Sequence, residues 1–168
     1  GFCFPLPALR LYYLIGRDNG YLRRLQTALR DFDAYLWTYR DSNRDGCLET
    51  WCTWDTGEDN SNRFLRYGVA DGGFGGEDAP VDCGKLPFAS MDVMSYSCQT
   101  REVLATIADL LGEADGDTWR QRAQAVRDTL RKMLWSAEKS ACFDRDCDGN
   151  VMDALLHNNL RCMYYGSF

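Results

Sequence analysis

The 168 residues combine 45% hydrophobic side chains with a formal charge of −6, a composition that supports a core of its own and excludes a disordered chain. Nucleic-acid binding is excluded too, because neutralising phosphates takes a clustered basic face and no segment supplies one. The apolar runs, such as PALRLYYLIGR, are short and interrupted by charge, so none is expected to span a membrane and the chain reads as soluble.

Pro5 and Pro7 precede an apolar segment, Ala8 to Ile15, that reads as a first helix. Asp18-Asn19-Gly20 is a turn, and Leu22, Leu25, Leu29, Phe32, Leu36 and Tyr39 then recur at three- and four-residue steps. That stripe predicts an amphipathic helix from Tyr21 to Arg40, antiparallel to the first. The glycine-rich stretch Arg66 to Pro87 reads as loop. Val93, Tyr96, Val103, Ile107 and Leu111 predict a helix over Met91–Leu111, stopped by Gly112 at the left-handed C′ position. Asp117 is expected to cap the next helix, whose buried face is Trp119, Ala123, Val126, Leu130 and Met133. Phe143 to Val151 is turn-rich with room for a short hairpin, and a last apolar stretch begins near Asp153. With no alternation of strands and helices, the expected class is all-α, helical hairpins with long loops on one side.

The eight cysteines include no C-x-x-C, and the one histidine is His157, so zinc and iron–sulfur ligand spacing is missing. Reduced, partly buried thiols in a cytoplasmic protein are favoured over a disulfide framework. Asp41, Asn43, Asp45 and Glu49 stand at relative positions one, three, five and nine around Gly46, the spacing of oxygen ligands in a calcium loop. The twelfth position, where a calcium hand places its bidentate glutamate, is Cys52. The second such run, Asp144 to Gly149, has Leu155 there and reads as a polar turn.

Between these lies WCTWDTGEDNSNRF, residues 51–64, which crowds three acidic side chains and two indoles around one glycine. A solvated loop needs no tryptophan and a packed core resists three carboxylates, whereas a sugar site uses both. Trp54-Asp-Thr-Gly-Glu-Asp-Asn-Ser61 resembles the E-S-G-x-D-N-S motif of inverting glycoside hydrolases of family 63 and their trehalase and mannosylglycerate-hydrolase relatives. The R-D-x-x-x-D-G-x-x-E run at Arg40–Glu49, Met91-Asp-Val-Met-Ser-Tyr96, and Asn158-Asn-Leu-Arg-Cys-Met-Tyr-Tyr-Gly-Ser-Phe168 resemble further segments of that group in the same order.

The resemblance implies a partial (α/α)6 barrel over 1–168, a single-domain fragment of a glycosidase catalytic domain completed by the rest of its own chain. It makes Asp59 the general acid for hydrolysis of an α-glucoside or α-mannoside with inversion, needing no cofactor, with structural calcium possible at Asp41, Asn43, Asp45 and Glu49. The general base, a glutamate in the family, falls beyond Phe168, so the fragment alone is expected to be inactive. Trp51 and Trp54 serve as sugar platforms or core, and Asn60 and Arg63 as hydroxyl ligands or, respectively, loop cap and surface ion pair; Asp55 is counted with the substrate-binding residues. Two positions depart from the family pattern: Asp55 replaces glutamate, and Glu58 replaces an apolar residue. The rivals are a calcium-dependent interaction module built on the two aspartate-rich loops and a helical scaffold whose site is inactive.

Overall fold

The computed structural model describes residues 4–51, 55, 63 and 87–168. Among these residues it is helical: α1 (Pro5–Leu14), α2 (Asn19–Tyr39), α3 (Met91–Leu111), α4 (Gly116–Leu134) and α5 (Asn158–Tyr164), with a two-stranded hairpin of β1 (Trp135–Ser136) and β2 (Ala141–Cys142). The all-α class stands, and no helix among the described residues is long and apolar enough to cross a membrane. Trp54, Asp59, Asn60 and the glycine-rich stretch up to residue 86 lie outside the described residues.

Pro5 opens α1, where a missing N–H breaks no helical bond and the ring already holds the helical φ. The chain reverses through Gly16 at φ +85°, and α2 starts on Asp18, whose carboxylate accepts the Gly20 N–H at 2.7 Å. Tyr21 donates its hydroxyl to the Ala8 carbonyl at 2.9 Å, tying α1 to α2 as the expected hairpin.

The α2 stripe is mostly as predicted, since Leu22, Leu25, Leu29 and Leu36 are buried. Tyr39, however, is exposed and Phe32 only half-buried, while Asp33 is buried in their stead. The reason is an ion pair across to α3: Arg101 donates to Asp33 from Nε at 2.8 Å and from Nη2 at 3.2 Å, with Ser97 Oγ at 3.3 Å. The same guanidinium lies 4.5 Å from the centre of the Trp37 ring. Gln26, further toward the start of α2, meets Glu113 just past the end of α3, so the two helices run antiparallel.

Helix α3 is the centre of the molecule. Every residue from Met91 to Thr100 is buried, far more than one stripe. Its small polar residues bear this because their hydroxyls turn back onto the helix, Ser95 to the Met91 carbonyl at 2.7 Å and Thr100 to the Tyr96 carbonyl at 3.0 Å. Gly112 ends it at φ +71°, donating to the carbonyls of Ala108 and Asp109. A β-carbon there would meet nothing within 4 Å. Gly112→Ala should therefore cost only backbone strain, about 1 kcal/mol in a urea titration.

Asp115, not Asp117, takes the N-cap position of α4, and its carboxylate goes to Trp119 Nε1 and Arg30 instead of the helix backbone. Asp117 sits inside the first turn and pairs with Arg120 at 2.7 Å. The buried face is the predicted one with Leu134 added and Met133 half-buried. The hairpin falls earlier than expected, at Trp135↔Cys142 and Ser136↔Ala141, after which Arg145 bridges both Ala89 and Val151.

Two apolar clusters fill the interior. One joins α1, α2, the end of α3 and Trp119. The other gathers Leu36, Leu48, Met91, Met94, Leu130, Leu134 and Cys142 where α2 stops and α3 begins. The described ends of the connection from α2 to α3 meet at this second end. Glu49 N–H reaches the Arg40 carbonyl at 2.7 Å, Thr50 N–H the Pro87 carbonyl at 2.9 Å, and Ser90 N–H the Leu48 carbonyl at 2.9 Å.

Cys47, Cys98, Cys142 and Cys162 are buried free thiols, and Cys147 is exposed. Burial, aided by neighbouring aspartates, pushes Cys47 and Cys142 up to about 12 and raises Cys162 as well. These thiols keep their protons in the native state while the unfolded chain loses its own above about pH 9. The unfolded state then binds fewer protons, so stability should fall as pH rises from about 9 to 12, a decline that urea midpoints across that range would register.

Candidate active site

Arg40 is the first residue past α2, and its buried guanidinium forks onto Asp55, with Nη1 on Oδ2 and Nη2 on Oδ1 at 3.2 Å. The Trp51 backbone N–H donates to the same carboxylate at 2.6 Å. Burial works against the Arg40 charge, but the hydrogen bonds and charge of Asp55 outweigh it and raise the pKa. The Trp51 ring lies 4.1 Å from this guanidinium, and its indole N–H donates to Glu49 Oε2 at 2.9 Å. Glu49 Oε1 accepts from the Ser42 N–H at 2.6 Å and from the Ser42 hydroxyl. Ser42, Glu49, Trp51, Arg40 and Asp55 thus form one bracket at the end of α2.

Of the expected sugar-binding residues, Trp51 remains 40% exposed with one face on Arg40, and Asp55 has both oxygens committed to protein donors. Asp41 accepts from the Gly46 N–H at 3.3 Å. Burial raises its carboxyl, and the charges of Asp45 and Glu49 push the same way against backbone hydrogen bonds. Asn43 Oδ1 accepts from the Asp45 N–H at 3.2 Å, and Asp45 Oδ1 from the Cys47 N–H at 2.8 Å, two Asx turns in series. Among the described residues no three His, Cys, Asp or Glu side chains form a group that could hold a metal ion. The second loop is a polar turn as expected, with Asp146 accepting the N–H groups of Asp148 at 3.0 Å and Asn150 at 2.8 Å.

Arg63 is not a surface ion pair: it is 1% exposed. Its Nε donates to Asp144 at 2.6 Å, and Nη2 donates to Asp92 and to Ser90 Oγ, each at 2.9 Å. Asp92 also accepts from Asn158 Nδ2 at 2.8 Å and Ser90 Oγ at 3.0 Å. Asp144 gives its other oxygen to the Met91 N–H at 2.9 Å, at the start of α3. Burial pushes the Asp92 carboxyl up, but Arg63, Ser90 and Asn158 together bring it below its ordinary value. For Asp144 burial prevails over Arg63, and the nearby Asp92 charge adds to the rise. The sequence reading missed both aspartates as partners of Arg63. The one available signal was Asp92 inside an otherwise apolar helix start, Met91-Asp-Val-Met94.

Residues 55 and 63 are therefore each fixed by a buried ion pair, one at the end of α2 and one at the start of α3. A cavity of about 660 Å³ lined by Trp135, Lys139, Leu155, Met163 and Phe168 contains none of the expected site residues. The bracket and the anchors, not that cavity, mark the candidate site.

Residues 6–164 match the family model described as the mannosylglycerate hydrolase MGH1-like glycoside hydrolase domain. No curated protein and no solved structure gives a match. Because the matched span covers nearly the whole chain, with the candidate site inside it, the chain belongs to the MGH1-like glycoside hydrolase family.

Proposed function

We propose that this glycoside hydrolase domain cleaves an α-glucoside or α-mannoside with inversion and that Asp59 is its general acid. The family match over residues 6–164 carries the reading. It is supported by the buried ion pairs at Asp55 and Arg63, the described residues on either side of position 59 in sequence. In the proposed step the Asp59 carboxyl gives its proton to the glycosidic oxygen as the bond from the anomeric carbon to that oxygen breaks. Water attacks from the opposite face and passes its proton to a carboxylate base. The reading assigns that base to a glutamate outside residues 1–168, so the isolated chain is expected to be inactive.

Such an acid must stay protonated near neutrality. Asp55 and Glu58 are its acidic neighbours in sequence, but Asp55 shares its charge with Arg40. In this reading the neighbouring charge left to raise Asp59 is therefore that of Glu58. Trp51 offers its exposed part as a stacking surface, with Trp54 and Asn60 completing the sugar contacts in this reading. The whole protein should release reducing sugar from at least one member of a panel of α-glucosides and α-mannosides that includes mannosylglycerate. No turnover on any of them would favour the inactive scaffold.

The chemistry needs no metal. Calcium held by Asp41, Asn43, Asp45 and Glu49 would have to displace Ser42 and Trp51 from Glu49. Adding calcium or EGTA should therefore move the thermal midpoint by less than about 2 °C. A shift of ten degrees or more would instead favour the calcium-dependent module.

A further inference from the structure

The Arg63 network is costly for a merely structural device. Three charged side chains, Arg63, Asp92 and Asp144, are each 4% exposed or less. Removing such ions from water carries a penalty that their mutual attraction does not reliably exceed, and apolar residues of similar volume often serve stability as well or better. What apolar residues do not provide is direction. The guanidinium is a planar fork whose edges are matched separately here, Nε to Asp144 and Nη2 to Asp92. Each carboxylate is in turn fixed by a second element: Asp144 by the Met91 N–H of α3, and Asp92 by Asn158 at the start of α5.

Resting on the assignment of Asp59 as the acid, we propose that Asp144 and Asp92 are positioning residues for proton donation. They act by holding Arg63, four residues along the chain from the acid, in one orientation. Neither carboxylate touches substrate. Asp144 comes from the 144–149 turn that resembles half a calcium loop, and this contact to Arg63 gives that turn a role in catalysis, with no cation needed.

The distinction between positioning and plain structural support is measurable, because the acid matters only when the leaving group needs a proton. An oligosaccharide leaves as an alkoxide and depends on protonation, whereas a glycosyl fluoride leaves as fluoride and hardly does. In the full-length enzyme, Asp144→Asn should lower kcat on the oligosaccharide by about 10- to 100-fold, the size expected of a misplacement near 1 Å. KM should stay within about twofold, and turnover of the matching α-glycosyl fluoride within about threefold. Arg63→Lys, which keeps the buried charge but loses the fork, should show the same selective loss if Asp144→Asn does not fold. A parallel fall on both substrates, or no fall on either, overturns the proposal. Wild-type enzyme that hydrolyses neither substrate would defeat the assignment of Asp59 and the function first, a different result from a wild type active on both.

Discussion

Asp59→Asn in the full-length enzyme is expected to lower kcat on an α-linked oligosaccharide by about 10²- to 10⁴-fold, the range a positioned general acid contributes. The amide is nearly the same size as the carboxyl and still hydrogen-bonds, but it has no proton to transfer. KM should therefore change little, because the loss is confined to the transition state. The thermal midpoint should also hold, since the bracket at Arg40–Asp55 and the network at Arg63 are untouched. The alkaline limb of the wild-type pH profile should mark deprotonation of this acid, and in the variant that limb should disappear from the residual activity. Steady-state kinetics across pH check both points. A variant retaining near-normal turnover would remove Asp59 from the mechanism.

Arg63→Met is expected to be the most destabilising single change at the site, by about 3–5 kcal/mol in a urea titration at pH 7. The methionine fills much of the space but leaves Asp144 buried without its cation and Asp92 with only Arg161, at 3.4 Å. The size of the loss should depend on pH. In the native chain Arg63 helps hold Asp92 below its ordinary value, so Asp92 contributes stability above the unfolded carboxylate range and loses it as pH falls through its native pKa. Asp144 is raised, so its contribution is full at acid pH and lost as pH rises through its native pKa. Without the guanidinium, burial raises both carboxyls, and both take up protons more readily in the folded variant than in the unfolded one. The gap between wild type and Arg63→Met should therefore narrow as pH falls from 7 toward about 4. Replacing Asp92 and Asp144 by apolar residues in the same variant should recover part of the loss.

The motif that suggests Asp59 is legible in sequence because it is local: Trp54 to Ser61 and the runs around it are contiguous. The Arg63 network is not, since its partners lie 29 and 81 residues away, and no local spacing reports such a meeting. The same holds in the helices. The α2 leucines show their period directly, but Asp33 at a buried position is explained only by Arg101, 68 residues on. The stripe from Val93 to Leu111 marks helix α3, but it does not report that Ser95, Ser97 and Thr100 are buried as well. In the fold Ser95 and Thr100 spend their hydroxyls on their own backbone, and the whole first half of the helix is buried.

The aspartate-rich loops show a different limit, a local pattern that is visible but ambiguous. Oxygen atoms spaced by two suit a cation or a series of Asx turns equally well. In the 41–49 loop Asn43 and Asp45 make the turns, while Glu49 closes on Ser42 and Trp51. In the second loop Asp146 makes the turn and Asp144 turns inward to Arg63. Two positions separate the half-buried Asp146 from the buried Asp144 there, which no residue-type pattern distinguishes.

The most direct test of the account is a structure of the full-length Asp59→Asn enzyme holding an uncleaved oligosaccharide. The side chain at position 59 should lie within about 3 Å of the glycosidic oxygen, with a carboxylate from beyond residue 168 holding water on the opposite face of the sugar. A different carboxyl at that oxygen, with position 59 turned into packing or bulk solvent, would contradict it.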